Sequence, residues 1–108
     1  MKKNLINPEV LVATYNALAE VIAFCHDRKI KCYGNVSPDG DCGYFFVDED
    51  GLFTPYEIRS FYMNGKTVDD ALNYRDQLLV WLKDALKGWK DQRIALLEAE
   101  IEKIRKSN

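Results

Sequence analysis

The chain has 108 residues, 47% of them hydrophobic and 12% aromatic, which suits one packed domain and argues against disorder. Its formal net charge of −2 gives no strong positive field, so the composition disfavours charge-driven binding of nucleic acid. Three cysteines cannot all pair within one chain, no apolar run precedes Asn7 and Pro8, and no stretch approaches about 18 apolar residues. We therefore expect a cytoplasmic protein with no membrane contact.

The first predicted element is a helix from Pro8 to about Asp27. Asn7 is a favourable N-cap, proline suits the first helical position, and Glu9 lies where the helix dipole favours an acid. Apolar residues recur at helical spacing but also occupy other faces, which leaves only a thin polar line. A helix this apolar needs cover from both a sheet and a second helix, or from a partner chain.

Three strands are predicted next, over residues 30–36, 43–48 and 56–63. Alternating apolar and polar residues mark the strands, and turns rich in Asp, Gly and Pro separate them. Short connections favour an antiparallel meander. The predicted fold is therefore α+β: an N-terminal helix, a three-stranded antiparallel meander and a long C-terminal helix.

The last element is a helical pattern from Val68 to about Lys106. Thr67 is its predicted N-cap, and Asp70 three residues later completes a capping box with Asp in place of Glu. Only Gly88 interrupts the pattern, and beyond it the apolar register slips by one residue. The sequence leaves open whether the helix is continuous or breaks near Gly88. We expect a core over residues 1–90 and a helical tail over residues 91–108.

The tail carries a coiled-coil-like apolar stripe. A continuous helix of this extent is about 58 Å long, whereas a globule of this size is roughly 35 Å across, so the tail must project or fold back. A projecting stripe requires a partner helix. We expect this surface to mediate self-association or docking, through Ile94, Leu97, Ile101 and Ile104, with Trp89 as a further interface residue.

The segment from Cys25 to Cys42 holds all three cysteines and His26, the only histidine. Zinc prefers these residue types, but adjacent residues on a helix diverge by about 100°. If the first two strands pair about their turn, Cys32 lies opposite roughly Val47 and about 16 Å from Cys42 along the sheet. The spacing therefore disfavours a zinc site and Cys–His catalysis. We expect no metal, no cofactor and no catalytic residue, with a zinc or thiol site as an alternative.

The second face of the predicted sheet is the other candidate surface. In the predicted register it carries Tyr33, Tyr44, Phe46, Arg59 and Phe61. Aromatic side chains and arginine are enriched in protein interfaces, and on an open sheet they can also stack on bases. Cover by a helix or a second subunit is the remaining alternative.

These features favour a small non-enzymatic interaction protein, expected to form a homodimer and to modulate a larger, unidentified protein. The expected type is an accessory protein or inhibitor of bacteria or their phages. The alternative is a nucleic-acid-binding regulator that uses the aromatic sheet face.

Overall fold

A computed structural model describes residues 7–37, 39, 41–49, 52 and 57–107. The elements follow in the order α1 (Pro8–Asp27), β1 (Cys32–Val36), β2 (Cys42–Val47), β3 (Ile58–Tyr62) and α2 (Val68–Lys106). The strands form an antiparallel sheet in the order β1-β2-β3. The predicted α+β fold is therefore confirmed. The predicted start of the third strand, at residue 56, lies outside the described residues.

The cap residues of α1 determine where this helix begins and ends. At its start, the Asn7 side chain accepts a hydrogen bond from the Glu9 backbone N–H, as an N-cap should. At its end, Lys29 adopts the left-handed region with φ of 58°. The Lys29 N–H donates to the His26 carbonyl and the Ile30 N–H donates to the Cys25 carbonyl. This is a Schellman motif, which turns the chain towards β1.

Both helices pack on one face of the sheet. Phe45, in the central strand, is fully buried and meets Trp81 of α2 edge-on. On the α1 side, Gly43 lies beside Thr14, close enough that a Cβ there would lie 2.8 Å from a Thr14 methyl carbon. The prediction that α1 needs cover from both a sheet and a second helix is thus met by this two-layer core.

By length and composition, α1 is apolar enough to cross a membrane, with a mean hydropathy of 1.3 over its most apolar window. A core helix passes the same test, and one third of that window is buried in the fold. Val10, Val21 and Cys25 are fully buried in the core. The buried third of the window therefore packs in the core of the fold.

The long helix α2 starts at the predicted capping box. The Asp70 N–H donates to the Thr67 hydroxyl, and the Thr67 N–H donates to the Asp70 carboxylate at 2.8 Å. These donors lower the pKa of Asp70, the backbone N–H of Thr67 being the main cause. The helix then runs through Gly88 without a break for 39 residues. The open question at Gly88 is therefore resolved in favour of a continuous helix.

Beyond Trp89 the helix α2 has left the core. Every residue from 90 to 107 is exposed, whereas Leu78, Leu82 and Leu86 earlier in the same helix are buried. The described part of the chain measures 74 Å along its longest axis and only 23 Å across the next. The tail therefore projects from the domain.

Candidate functional site

The outward face of the sheet is aromatic, as predicted for its first two strands. Tyr33 lies opposite Phe46 in the β1–β2 register, and their rings stack with centroids 5.0 Å apart. Tyr44 points to the same side. Among the described residues, no element covers this face, because both helices lie behind the sheet. The outward side chains are Tyr33, Asn35, Cys42, Tyr44, Phe46, Ile58, Ser60 and Tyr62.

The predicted placement of Arg59 and Phe61 on this face is wrong. Phe61 is buried behind the sheet and stacks on Tyr74, with ring centroids 4.9 Å apart. Arg59 lies on the same inner side, with its guanidinium carbon 4.7 Å from the centre of the Trp81 ring. Side chains alternate along a strand, so an error of one residue in register moves every side chain to the opposite face.

The residues that replace them on the outward face are Ile58 and Tyr62. These side chains are 57% and 67% exposed, more than the 48% of Tyr33. The pairing of Tyr62 with Cys42 and of Ile58 with Phe46 sets this arrangement. The sequence offered one signal for this arrangement. Phe61 and Met63 are both apolar and two residues apart, which is the spacing of side chains on the buried face of a strand.

Tyr74 anchors β3 to α2 from behind this face. Its hydroxyl donates to the Arg59 backbone carbonyl at 2.7 Å. Burial raises the pKa of Tyr74 well above its ordinary value, so the hydroxyl stays a donor across the neutral range. The hydrogen bond holds β3, and with it Ile58 and Tyr62, in a fixed position.

The cysteines divide into a contacting pair and a separate residue. The Schellman turn brings Cys25, at the end of α1, against Cys32, at the start of β1, and the two thiols share a hydrogen bond. That bond and burial raise the pKa of Cys25, and the same bond lowers the pKa of Cys32. Cys32 pairs with Val47, as predicted, and Cys42 lies at the other end of β2.

No group of three or more His, Cys, Asp or Glu side chains that could hold a metal ion occurs among the residues with described positions. Cys25 is fully buried, in agreement with the prediction of a core residue. The pair therefore offers two thiols near the end of α1, two fewer than the four ligands of a structural zinc site.

The tail stripe is a row of large apolar side chains on the surface. Ile94, Leu97, Ile101 and Ile104 are each between 51% and 63% exposed. They lie on one side of α2, and the stripe is turned by about 100° from the buried stripe of the same helix, which is one residue of register. The tail face is therefore distinct from the face that packs on the core.

Trp89 marks the boundary between these two faces. It is partly buried and packs against the edge of the core, and the guanidinium of Arg93 lies 5.6 Å from its ring centre. Trp89 thus has core contacts besides the interface role predicted for it, which remains a prediction.

A basic cleft lies between the end of α1 and the middle of α2. Its volume is about 400 Å³, and Phe24 forms part of its wall. The Arg28 guanidinium covers the Phe24 ring at 3.6 Å, in a cation–π contact. The sequence did not indicate this cleft, because its walls come from two helices far apart in the chain. The lining residues are Phe24, Arg28, Lys83, Leu86, Lys87 and Lys90.

Comparison of the chain with protein-family models, with curated proteins and with solved structures gives no match. A function must therefore be argued from the surfaces of the molecule. Two surfaces stand out: the aromatic sheet face and the apolar stripe of the projecting tail.

Proposed function

We propose that this chain is a small interaction protein that catalyses no reaction, self-associates through its tail, and binds and modulates a larger protein. The exposed tail of α2 carries the proposal. It is a helical extension without contacts to the described part of the core, and four of its five large exposed apolar side chains lie in a row.

The energetics of the tail support self-association. Full transfer of a leucine or isoleucine side chain from water stabilises by about 1.5–3 kcal/mol, and these side chains remain about half exposed in the single chain. Helices in water gain most of their stability from packing of an apolar face rather than from propensity. A second helix against the stripe would supply that packing.

The sheet face is the proposed surface for the larger protein. Tyrosine and phenylalanine offer large contact areas at a small cost in side-chain entropy, and they are enriched where interfaces are most strongly bound. The Tyr33–Phe46 stack and the Tyr74 anchor behind β3 hold this surface in place before any partner arrives. Preorganisation of this kind reduces the ordering cost of binding.

Nucleic-acid binding is the alternative, and open sheet aromatics support it in principle. The cation that this model requires on the face, Arg59, lies behind the sheet on Trp81 instead. The basic cleft lies between the helices, apart from the sheet aromatics. The geometry thus favours a protein partner for the sheet face.

Self-association is tested by the mass of the full chain in solution. Replacing Leu97 and Ile101 together by serine should convert a dimer to a monomer while the far-ultraviolet circular dichroism stays helical. The matched control is Leu96→Ser, because Leu96 is 69% exposed but lies off the stripe. A dimer that survives the double change, or one that Leu96→Ser dissociates equally, would contradict the proposal.

Partner binding is tested by affinity capture from a bacterial lysate, with and without nuclease. We expect a stoichiometric protein that survives nuclease and is lost from the Tyr33→Thr/Tyr62→Thr variant. Tyr15→Gln is the control, since it removes a tyrosine that is 52% exposed on α1. Recovery of only nuclease-sensitive material would favour the nucleic-acid alternative.

A further inference from the structure

The tail of α2 has the pattern of a coiled-coil heptad. In the usual lettering, Ile94 and Ile101 occupy core position a, and Leu97 and Ile104 occupy core position d. Four of the positions that flank the seam, e and g, carry charges: Glu98 and Arg105 at e, and Arg93 and Glu100 at g. The two remaining flanking positions of the tail, Asp91 at e and Ser107 at g, lie at the ends of the seam. The order of these charges indicates which helix the tail pairs with and in which direction.

We infer that the tail pairs with the tail of a second copy as a parallel, two-stranded coiled coil. This inference rests on the proposed self-association and adds its direction. Isoleucine at a with leucine at d favours two strands, and Ile94 with Leu97 in the first heptad has that combination, whereas Ile104 at the second d position does not.

The flanking charges match in the parallel arrangement. There, a residue at g faces the residue at e five positions later on the other helix. Arg93 of one copy meets Glu98 of the second copy, and Glu100 meets Arg105. Symmetry repeats both pairs on the other side of the seam, so each of these four charges meets an opposite charge, whereas Asp91 at the start of the seam has no charged partner.

The antiparallel arrangement matches the charges poorly. Placing Ile94 against Ile104 and Leu97 against Ile101 puts the centre of symmetry at residue 99. Glu98 then faces Glu98 of the second copy, and Glu100 faces Glu100. Asp91 against Arg105 is attractive only near the ends. Like charges at the centre of a short seam favour the parallel direction.

The same charges identify the occupant as a second copy. A stripe that evolved for an unrelated helix has no reason to complement itself at these four flanking positions. Here Arg93 and Glu98, and likewise Glu100 and Arg105, become oppositely charged neighbours across two parallel copies of the tail.

The seam must begin beyond Lys90. Continuing the heptad backwards places Lys90 at d and Lys87 at a, where two parallel helices would bring like charges together. These lysines also line the basic cleft, together with Arg28. The two domains therefore diverge at Lys90, at the same end of a seam of about two heptads. So short a seam gives a weak, reversible dimer.

The first test exploits opposite predictions for the two directions. The variant Glu98→Gln/Glu100→Gln removes all four charge pairs that flank the seam of a parallel dimer. Exposed pairs typically contribute a few tenths of a kcal/mol each, so the dissociation constant of the dimer should rise about tenfold. An antiparallel dimer would lose its central repulsion and tighten. Sedimentation equilibrium measures both, and Glu102→Gln, outside the seam, is the control.

The second test is covalent. Ile104→Cys at core position d places two thiols opposite each other across the seam of a parallel dimer, whereas an antiparallel dimer would hold them roughly 15 Å apart along the seam. Mild oxidation by oxidised glutathione should join the two chains through a disulfide in this variant, with the thiol protons and two electrons passing to glutathione, and not in the wild type. A chain that stays monomeric at all concentrations would refute the proposed self-association. A dimer that tightens in the first test and does not cross-link, or a trimer, would refute only this inference.

Discussion

Gly43→Ala should destabilise the fold, because a buried threonine occupies the space that a side chain at this position needs. The new Cβ would lie 2.8 Å from the Thr14 methyl carbon. Thr14 is fully buried, and its hydroxyl donates to the Val10 carbonyl at 2.8 Å, so its methyl group cannot easily turn away.

The magnitude follows from two opposing terms. Overpacking of a tight core costs about 1–3 kcal/mol. Replacing glycine by alanine in a strand recovers about 0.5–1 kcal/mol through lower chain entropy in the unfolded state. The net loss should be about 1–2 kcal/mol in the free energy of unfolding, measured by urea denaturation at neutral pH.

Two variants test the reasoning. A Cβ at Gly34 would lie 3.0 Å from the flexible terminal methyl of the half-buried Ile22 and 3.4 Å from the Phe45 ring, so Gly34→Ala should cost clearly less than Gly43→Ala. Thr14→Ser removes the obstructing methyl and keeps the hydroxyl. The double variant with Gly43→Ala should therefore be at least about 1 kcal/mol more stable than the sum of the two single effects. Equal losses for the two glycines, or strict additivity in the cycle, would refute the account.

Three further outcomes are expected from the same denaturation assay. Tyr74→Phe should cost about 1–2 kcal/mol, because it leaves the Arg59 carbonyl without its donor, and an unchanged stability would mean that water replaces the hydroxyl. Lys29→Gly should stabilise by about 1 kcal/mol, since glycine adopts a φ of 58° without a side-chain clash; a loss would contradict the Schellman assignment. Because the folded-state pKa of Asp70 lies below its ordinary value of 3.8, the ionised carboxylate stabilises the fold at pH values above 3.8. This contribution is lost as the pH falls through the lower, folded-state pKa. The advantage of the wild type over Asp70→Asn should therefore shrink below about pH 4, and a constant difference would show that the charge is irrelevant to the cap.

The elements of the fold were predictable because each helix end carries a strong local signal. Asn7 with Pro8, and Thr67 with Asp70, specify the starts of α1 and α2 through backbone N–H groups that need acceptors. The pairing of Cys32 with Val47 was predictable for a similar reason, since a short turn fixes the register of the strands it joins.

The face assignment of β3 was not predictable in this way. A longer connection leads into β3, so no turn geometry specifies whether Arg59 or Ile58 points outward. Contacts with α2 decide it instead: Phe61 against Tyr74, and Arg59 over Trp81. Such contacts join residues far apart in sequence, which local patterns do not register. The basic cleft escaped prediction for the same reason.

The tail is a third case. Its apolar stripe was predictable from the sequence, but the proposed partner of the stripe is a second chain. The spacing of Ile94 and Leu97 matches a heptad and can be read from the sequence. The structure adds that residues 90–107 are exposed, so the stripe is not covered by the described part of the chain. The division into a core over residues 1–90 and a tail remains a prediction, as do the cytoplasmic location, the larger partner and the phage or bacterial origin.

The most direct test of self-association is sedimentation equilibrium of the unmodified full chain over a wide concentration range. The account predicts a mass that rises from 12.5 kDa towards twice that value, and stops there. A mass of 12.5 kDa at every concentration would contradict the central claim that the tail of α2 binds a second copy of the chain.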